Sequence, residues 1–232
     1  MERRDVRPVG AGYALIAPDL PGYGKSSGFR IQDYKLENQV ELLRRFVSTL
    51  GIDIVDIAGN SMGGTIAALY TQAHRRQVRS LAFIGSPLGI IEWNEPVKDA
   101  IFQGINPFVP IDIPQFDLEL SLLFVHPPSL PDSVKAAAVK EYVDNNRHYQ
   151  QVWDIVNLYD NAIRRGMIAR MPTLILWGEQ DSIFGVEGAP RLRNFIPSST
   201  LVRLPDAGHM LHVENADAAA AIYLKFLARL PR

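Results

Sequence analysis

The sequence contains no cysteine, which excludes disulfide bonds, thiolate catalysis and cysteine-based metal sites. It also lacks an excess of either charge, because it has 24 lysines and arginines and 25 aspartates and glutamates, which give a net charge of −1. A chain without a basic field does not attract nucleic acid or an acidic membrane surface. We therefore expect neither partner.

Long apolar runs are missing as well. No uninterrupted stretch approaches the roughly 18 residues that suggest a transmembrane helix. Residues 1–12 are polar and charged, unlike the apolar part of a signal peptide. The five histidines include no H-x-x-x-H pair, which argues against a zinc site. These absences predict a cytoplasmic protein with no metal and no cofactor; its oligomeric state stays open.

The residues that are present predict an α/β protein. With 232 residues and 47% hydrophobic content, the chain can bury one substantial core. Apolar runs predict strands, and apolar residues at helical spacing predict helices between and after them. This alternation is typical of a mostly parallel sheet flanked by helices. The predicted strands are 13–18, 54–58, 81–84, 174–177 and 200–204, and the clearest helices are 33–50, 63–73 and 217–230.

The alternation stops between residues 86 and 170, which contain eight prolines and no convincing strand pattern. We expect a helical insertion that covers the sheet as a cap. Residues 1–85 and 171–232 would then form the core. The large apolar side chains of this insertion make Phe102, Phe116 and Trp153 candidates for contacting an apolar substrate.

The strongest motif is Gly59-Asn60-Ser61-Met62-Gly63, which fits G-x-S-x-G between a predicted strand and a predicted helix. A turn this tight needs small residues beside the serine, and it exposes the hydroxyl at the carboxyl end of the sheet. We predict that Ser61 is a nucleophile. The backbone N–H of Met62, at the start of the helix, is the candidate donor to an oxyanion.

A serine nucleophile needs a base, and the base needs a group that orients it. Asp181 follows the strand at 174–177, and His209 follows the strand at 200–204, which is the edge where ligand sites form in such sheets. We predict Asp181 as the acid and His209 as the base. Glu179 and His212 are the alternatives for these two roles.

One apparent nucleotide motif fails. Gly22-Tyr23-Gly24-Lys25-Ser26 resembles the end of a phosphate-binding loop, but that loop requires a glycine five residues before Gly24, where this chain has Asp19. We therefore do not expect nucleotide binding.

Taken together, the motifs resemble the α/β-hydrolase superfamily of serine hydrolases in type and order. The matching segments are 18–26, 59–64, 177–181 and 208–209. The chain looks most like the capped monoacylglycerol lipase and carboxylesterase branch, which implies cleavage of a small-molecule ester through an acyl-enzyme. The segment 59–64 around Ser61 is also similar to that of carbon–carbon bond hydrolases of the meta-cleavage type. Those enzymes usually place tryptophan after the catalytic histidine, where this chain has Met210.

The resemblance does not extend to the N-terminal part of the family pattern. The family pattern has earlier strands and a His-Gly motif that supplies the second oxyanion donor, and this sequence has no His-Gly dipeptide. By resemblance, residues 13–18 would be the fourth of eight strands, with the third strand absent beside them. We therefore expect an N-terminally truncated form, less stable and less active than an extended one. A catalytically impaired form that only binds a ligand is the remaining alternative.

Overall fold

The computed structural model describes residues 7–9, 12–26, 29–158, 163 and 170–231. Six strands form two sheets in this part of the chain. A short antiparallel pair contains β1 and β2, and a four-stranded parallel sheet has the order β3-β4-β5-β6. The strands are β1 (Arg7–Val9), β2 (Tyr13–Leu15), β3 (Val55–Asn60), β4 (Val78–Pro87), β5 (Thr173–Gly178) and β6 (Thr200–Leu204).

The prediction of a buried strand at residues 13–18 inside the main sheet is wrong. Only Tyr13–Leu15 is a strand, it pairs with β1, and Leu15 is 55% exposed. An apolar run does not specify its partner, and an antiparallel neighbour a few residues away can pair through a short connection. Gly12, with φ 81°, ends that connection. Among the described residues, β3 pairs with β4 alone and is an edge of the sheet.

Helices cover both faces of the main sheet. Along β5, Leu174 and Leu176 belong to one apolar cluster, whereas Ile175 and Trp177 belong to the other. Alternate side chains of a strand point to opposite faces, so β5 is buried on both sides, as in other parallel sheets. The helices outside the insertion are α1 (Leu36–Thr49), α2 (Ser61–Ala73), α7 (Gly188–Phe195), α8 (Leu211–Glu214) and α9 (Ala216–Leu227).

In its described residues, the segment between β4 and β5 consists of helices joined by turns and loops, and it contains no strand there. Within the described residues, none of the helices has both the length and the apolar composition required to span a membrane. The described part of this segment contains four helices: α3 (Glu95–Phe102), α4 (Ile113–Leu123), α5 (Asp132–Asp144) and α6 (Asn146–Asn157).

The turn from β3 into α2 has no residue between the strand and the helix, because β3 ends at Asn60 and α2 begins at Ser61. Ser61 is the first residue of α2 and has φ 49°, a left-handed conformation that non-glycine residues rarely adopt. A Cβ atom on Gly59 would collide with the backbone carbonyl of Gly63 and approach the Gly64 nitrogen to 2.6 Å. Gly59 is therefore required for the close packing that holds Ser61 in this conformation.

Two glycine substitutions test this constraint. Gly59→Ala should lower the melting temperature by about 2–12 °C, because overpacking costs about 1–3 kcal/mol. Gly63→Ala is the matched control, since its Cβ would meet nothing within 4 Å. Alanine also favours a helix, so the control should melt as high as the parent protein or higher. Equal melting of both variants, measured by calorimetry, would contradict the packing argument.

Candidate active site

The three residues predicted for catalysis lie after three parallel strands. Ser61 follows β3 directly, Asp181 follows β5, and His209 follows β6. The carboxyl ends of parallel strands share one edge of a sheet, where α/β proteins form their ligand sites. The topology therefore explains how residues far apart in sequence reach the same region.

The structure places Asp181 and His209 in direct contact. His209 Nδ1 lies 2.9 Å from Asp181 Oδ2, and the two residues are 2% and 4% exposed. Asp181 Oδ1 accepts hydrogen bonds from the backbone N–H groups of Ile183 and Phe184, both at 2.9 Å. With both oxygens engaged, the carboxylate has a fixed orientation. It can hold the imidazole with Nε2 free for another partner.

Ser61 and His209 line one cavity of about 550 Å³, together with Met62. The same cavity is therefore lined by the candidate nucleophile, by the candidate base and by Met62, whose backbone N–H lies in the first turn of α2. Such a combination can deprotonate a hydroxyl and stabilise negative charge on a bound carbonyl oxygen.

Asn60 fixes the position of the loop that follows β6 and contains His209 (the histidine loop), a role that could not be predicted from the sequence. Its side-chain amide donates to the backbone carbonyl of Ile84 at 3.0 Å and to that of His209 at 3.1 Å. Asn94 acts similarly on the loop that contains Asp181, since its side-chain amide donates to the backbone carbonyl of Asp181 at 3.1 Å. Neither contact could be read from spacing, because both partners lie far away in the chain.

The two alternative residues lie outside the cavity. His212 is not among the lining residues, its Nδ1 has no described partner, and burial lowers its pKa. Glu179 is exposed, and its backbone N–H donates to Leu204. The geometry therefore favours His209 over His212 and Asp181 over Glu179.

Of the three predicted substrate contacts, two lie at the cavity and one does not. Phe116 and Trp153 line it, and Trp153 packs against Trp93 and Phe108 with ring centroids 5.6 and 5.2 Å apart. Phe102, the last residue of α3, is 86% exposed and is not among the residues that line this cavity. Its apolar character could not tell which side of the helix it occupies.

The part of the cavity wall formed by α4 contains a buried carboxyl group. Glu119 of α4 is 7% exposed and accepts a hydrogen bond from the hydroxyl of Tyr142 at 3.1 Å. Burial raises the pKa of Glu119 to about 7. Glu141 also lines the cavity, and the described lining residues include no lysine or arginine.

Comparison with known proteins defines the class. The family model of the alpha/beta hydrolase fold matches residues 4–216. The chain therefore belongs to the α/β-hydrolase family. Within it, the chain is a lipase- and esterase-like enzyme of the carboxylic ester hydrolase class.

Individual relatives fall into two groups. Lipase 1 of Psychrobacter immobilis is 30% identical over 93% of this chain and 69% of its own length. Monoacylglycerol lipase abhd6-B of Xenopus laevis is 26% identical over 93% of this chain and 68% of its own length. The 2-hydroxy-6-oxononadienedioate/2-hydroxy-6-oxononatrienedioate hydrolase of Klebsiella pneumoniae is 28% identical over 97% of this chain and 81% of its own length.

A solved structure gives the same assignment of the fold. The crystal structure of a membrane phospholipase A, described as a bacterial virulence factor, superposes with a TM-score of 0.84 at 30% sequence identity. The match covers 93% of this chain and 70% of that one.

The contact between Asp181 and His209 can be tested without any substrate. We expect one strongly deshielded imidazole N–H proton in the NMR spectrum, because the Nδ1–H is bonded to a buried carboxylate. It should vanish in Asp181→Asn and in His209→Gln. His212→Gln is the control and should retain the signal; a loss there instead would assign the carboxylate-bound imidazole to His212.

Proposed function

We propose that the protein is a serine hydrolase that cleaves carboxylic esters through an acyl-enzyme. His209 removes the proton of the Ser61 hydroxyl, and the Ser61 oxygen attacks the ester carbonyl. Asp181 holds the imidazole and stabilises its charged form. The alcohol leaves with a proton from His209, and a water molecule activated by His209 then releases the acid.

One observation carries this proposal: His209, which is buried and hydrogen-bonded to Asp181, lines the same cavity as Ser61. The backbone N–H of Met62, in the first turn of α2, supports it as a donor to the tetrahedral oxyanion. A donor that is already oriented costs no reorganisation when charge develops.

The charge of the cavity favours a neutral ester over the substrates of the carbon–carbon hydrolases. The name of the Klebsiella relative gives its substrates as dioates, which carry two carboxylates. Here the described lining residues offer Glu119 and Glu141 but no lysine or arginine. Burying an anion without a positive partner is unfavourable, so a dianionic substrate fits this cavity poorly.

The lining also suggests the acyl part of the substrate. Phe116 and Trp153 contribute apolar surface to a cavity large enough for a lipid-like chain. We therefore propose that residues 86–170 form a cap over the core, that the ester has a medium or long acyl chain, and that it is of the monoacylglycerol type.

Loss of the nucleophile tests the mechanism directly. Ser61→Ala should lower the turnover of p-nitrophenyl butyrate by about 10⁶-fold, and His209→Ala by a similar factor, because nucleophile and base act as one unit. His212→Gln serves as the comparison and should remain active. Wild-type protein that binds the ester without cleaving it would instead support the ligand-binding alternative.

Chain-length selectivity tests the apolar wall. Phe116→Ala and Trp153→Ala should each reduce the preference for p-nitrophenyl laurate over the butyrate by about fivefold, since a longer chain loses about 1 kcal/mol of apolar contact. Phe102→Ala is the matched control, because this side chain lies outside the cavity. An equal effect of all three substitutions on the ratio of kcat/KM values would argue against a specific acyl wall.

A further inference from the structure

The carboxyl group of Glu119 takes no part in the chemistry proposed above, although it lines the same cavity as Ser61. Its Oε1 accepts one hydrogen bond, from Tyr142 at 3.1 Å. Its Oε2 accepts a hydrogen bond from no described residue and is not among the fully enclosed atoms without a partner. Glu119 is therefore a largely buried residue with one carboxyl oxygen that a ligand in the cavity can reach.

A carboxylate in largely apolar surroundings is stabilised by each further hydrogen-bond donor that reaches it. Asp181, by comparison, uses both oxygens within the protein. The carboxyl group of Glu119 sits between α4 and α5, on a wall that also includes Phe116 and Tyr142. A ligand with a hydrogen-bond donor would complete its bonding.

We propose that Glu119 is a specificity-determining residue that binds the free hydroxyl groups of the alcohol part of the ester, so that the enzyme prefers esters of a polyol. This inference rests on the proposed hydrolysis of a monoacylglycerol-type ester and adds to it the residue that would recognise the glycerol part. Glu119 would accept a hydroxyl proton while the ester carbonyl lies at Ser61.

A neutral hydroxyl group fits this acceptor better than a charged group does. An anion would face Glu119 and Glu141 without any basic side chain among the described lining residues. An ammonium group would have to lose its hydration among apolar walls, beside a carboxyl group whose pKa is raised to about 7 and which is therefore incompletely ionised near neutral pH. A hydroxyl group loses far less on desolvation.

The preference should depend on pH in a defined direction. Because burial raises the pKa of Glu119 to about 7, the carboxylate is present above that pH and is lost as the pH falls through it. A hydroxyl group donates a stronger hydrogen bond to a carboxylate than to a neutral acid. The preference for a hydroxylated ester should therefore be largest above pH 7 and fall below it.

The other titratable groups near Glu119 do not reverse this direction. Tyr142 and Glu141 come from α5, and Tyr149 of α6 donates to Glu141 at 3.2 Å. On the same helix as Glu119, Asp117 is paired with Lys135 of α5 at 2.7 Å. His209 also lines the cavity, but its role in the reaction is the same for both esters and cancels in their ratio.

The experiment compares 2,3-dihydroxypropyl butyrate with propyl butyrate from pH 5.5 to 8.5. The readout is the ratio of their kcat/KM values, in which the contribution of the shared triad cancels. In the wild-type protein the ratio should rise with pH around a midpoint near 7. Glu119→Gln should lower the ratio at pH 8 by about tenfold, the loss expected for a hydrogen bond to a charged group, and should make it independent of pH.

Two further variants sharpen the test. Tyr142→Phe removes the bond that lowers the pKa of Glu119, so the midpoint of the ratio should move to higher pH, an effect that loss of packing alone would not produce. Glu141→Gln, at the exposed part of the same cavity, is the matched control and should leave the ratio unchanged. Tyr142→Phe also keeps the proposal testable if Glu119→Gln does not fold.

Three outcomes would overturn the proposal: a wild-type ratio near one at every pH, the same loss in Glu141→Gln, or a larger gain with an aminoethyl ester, which would assign an ammonium subsite. Failure of the proposed function is distinct, because the wild-type protein would then not hydrolyse propyl butyrate at all.

Discussion

The hydrogen bond between Asp181 and His209 depends on two loops that pass each other at backbone distance. A Cβ atom on Gly178, the last residue of β5, would collide with the backbone carbonyls of residues 207 and 208. Gln180 donates its backbone N–H to Ala207 at 3.0 Å, which ties the loops together. Neighbouring parallel strands bring these loops close, and the missing side chain of glycine lets them come close enough for Asp181 to reach His209.

Two buried carboxyl groups, that of Glu119 at the cavity wall and that of Asp181 behind His209, have opposite surroundings. Asp181 is bonded through both oxygens to groups of the protein, whereas Glu119 has one described donor, Tyr142. The hydrogen bonds of Asp181 are therefore all made within the protein, whereas one oxygen of Glu119 remains available to a ligand. Differences of this kind between neighbouring acids separate their roles in many hydrolases.

The sequence was sufficient for the parts of the molecule that follow local rules. The position of Ser61 could be predicted because G-x-S-x-G stands between a strand and a helix, and the positions of Asp181 and His209 because each follows a strand at the same sheet edge. The catalytic roles of the three residues stay a prediction. Glu119 could not be predicted, because its burial comes from the packing of α4 on α5. The predicted strand at residues 13–18 was wrong because an apolar run does not determine its partner.

The side-chain amide of Asn60 connects β4 to the loop that contains His209. There is no room for an added side chain next to this amide. A Cβ atom on Gly85, which has φ 100°, would collide with Asn60 Nδ2 and approach the His209 carbonyl to 3.1 Å. Substitutions at residues 60 and 85 therefore cannot act independently, since residues that share a partner have non-additive effects. A library that varies these two positions one at a time would find both intolerant, whereas simultaneous variation of the pair could recover folded proteins with a differently placed histidine loop.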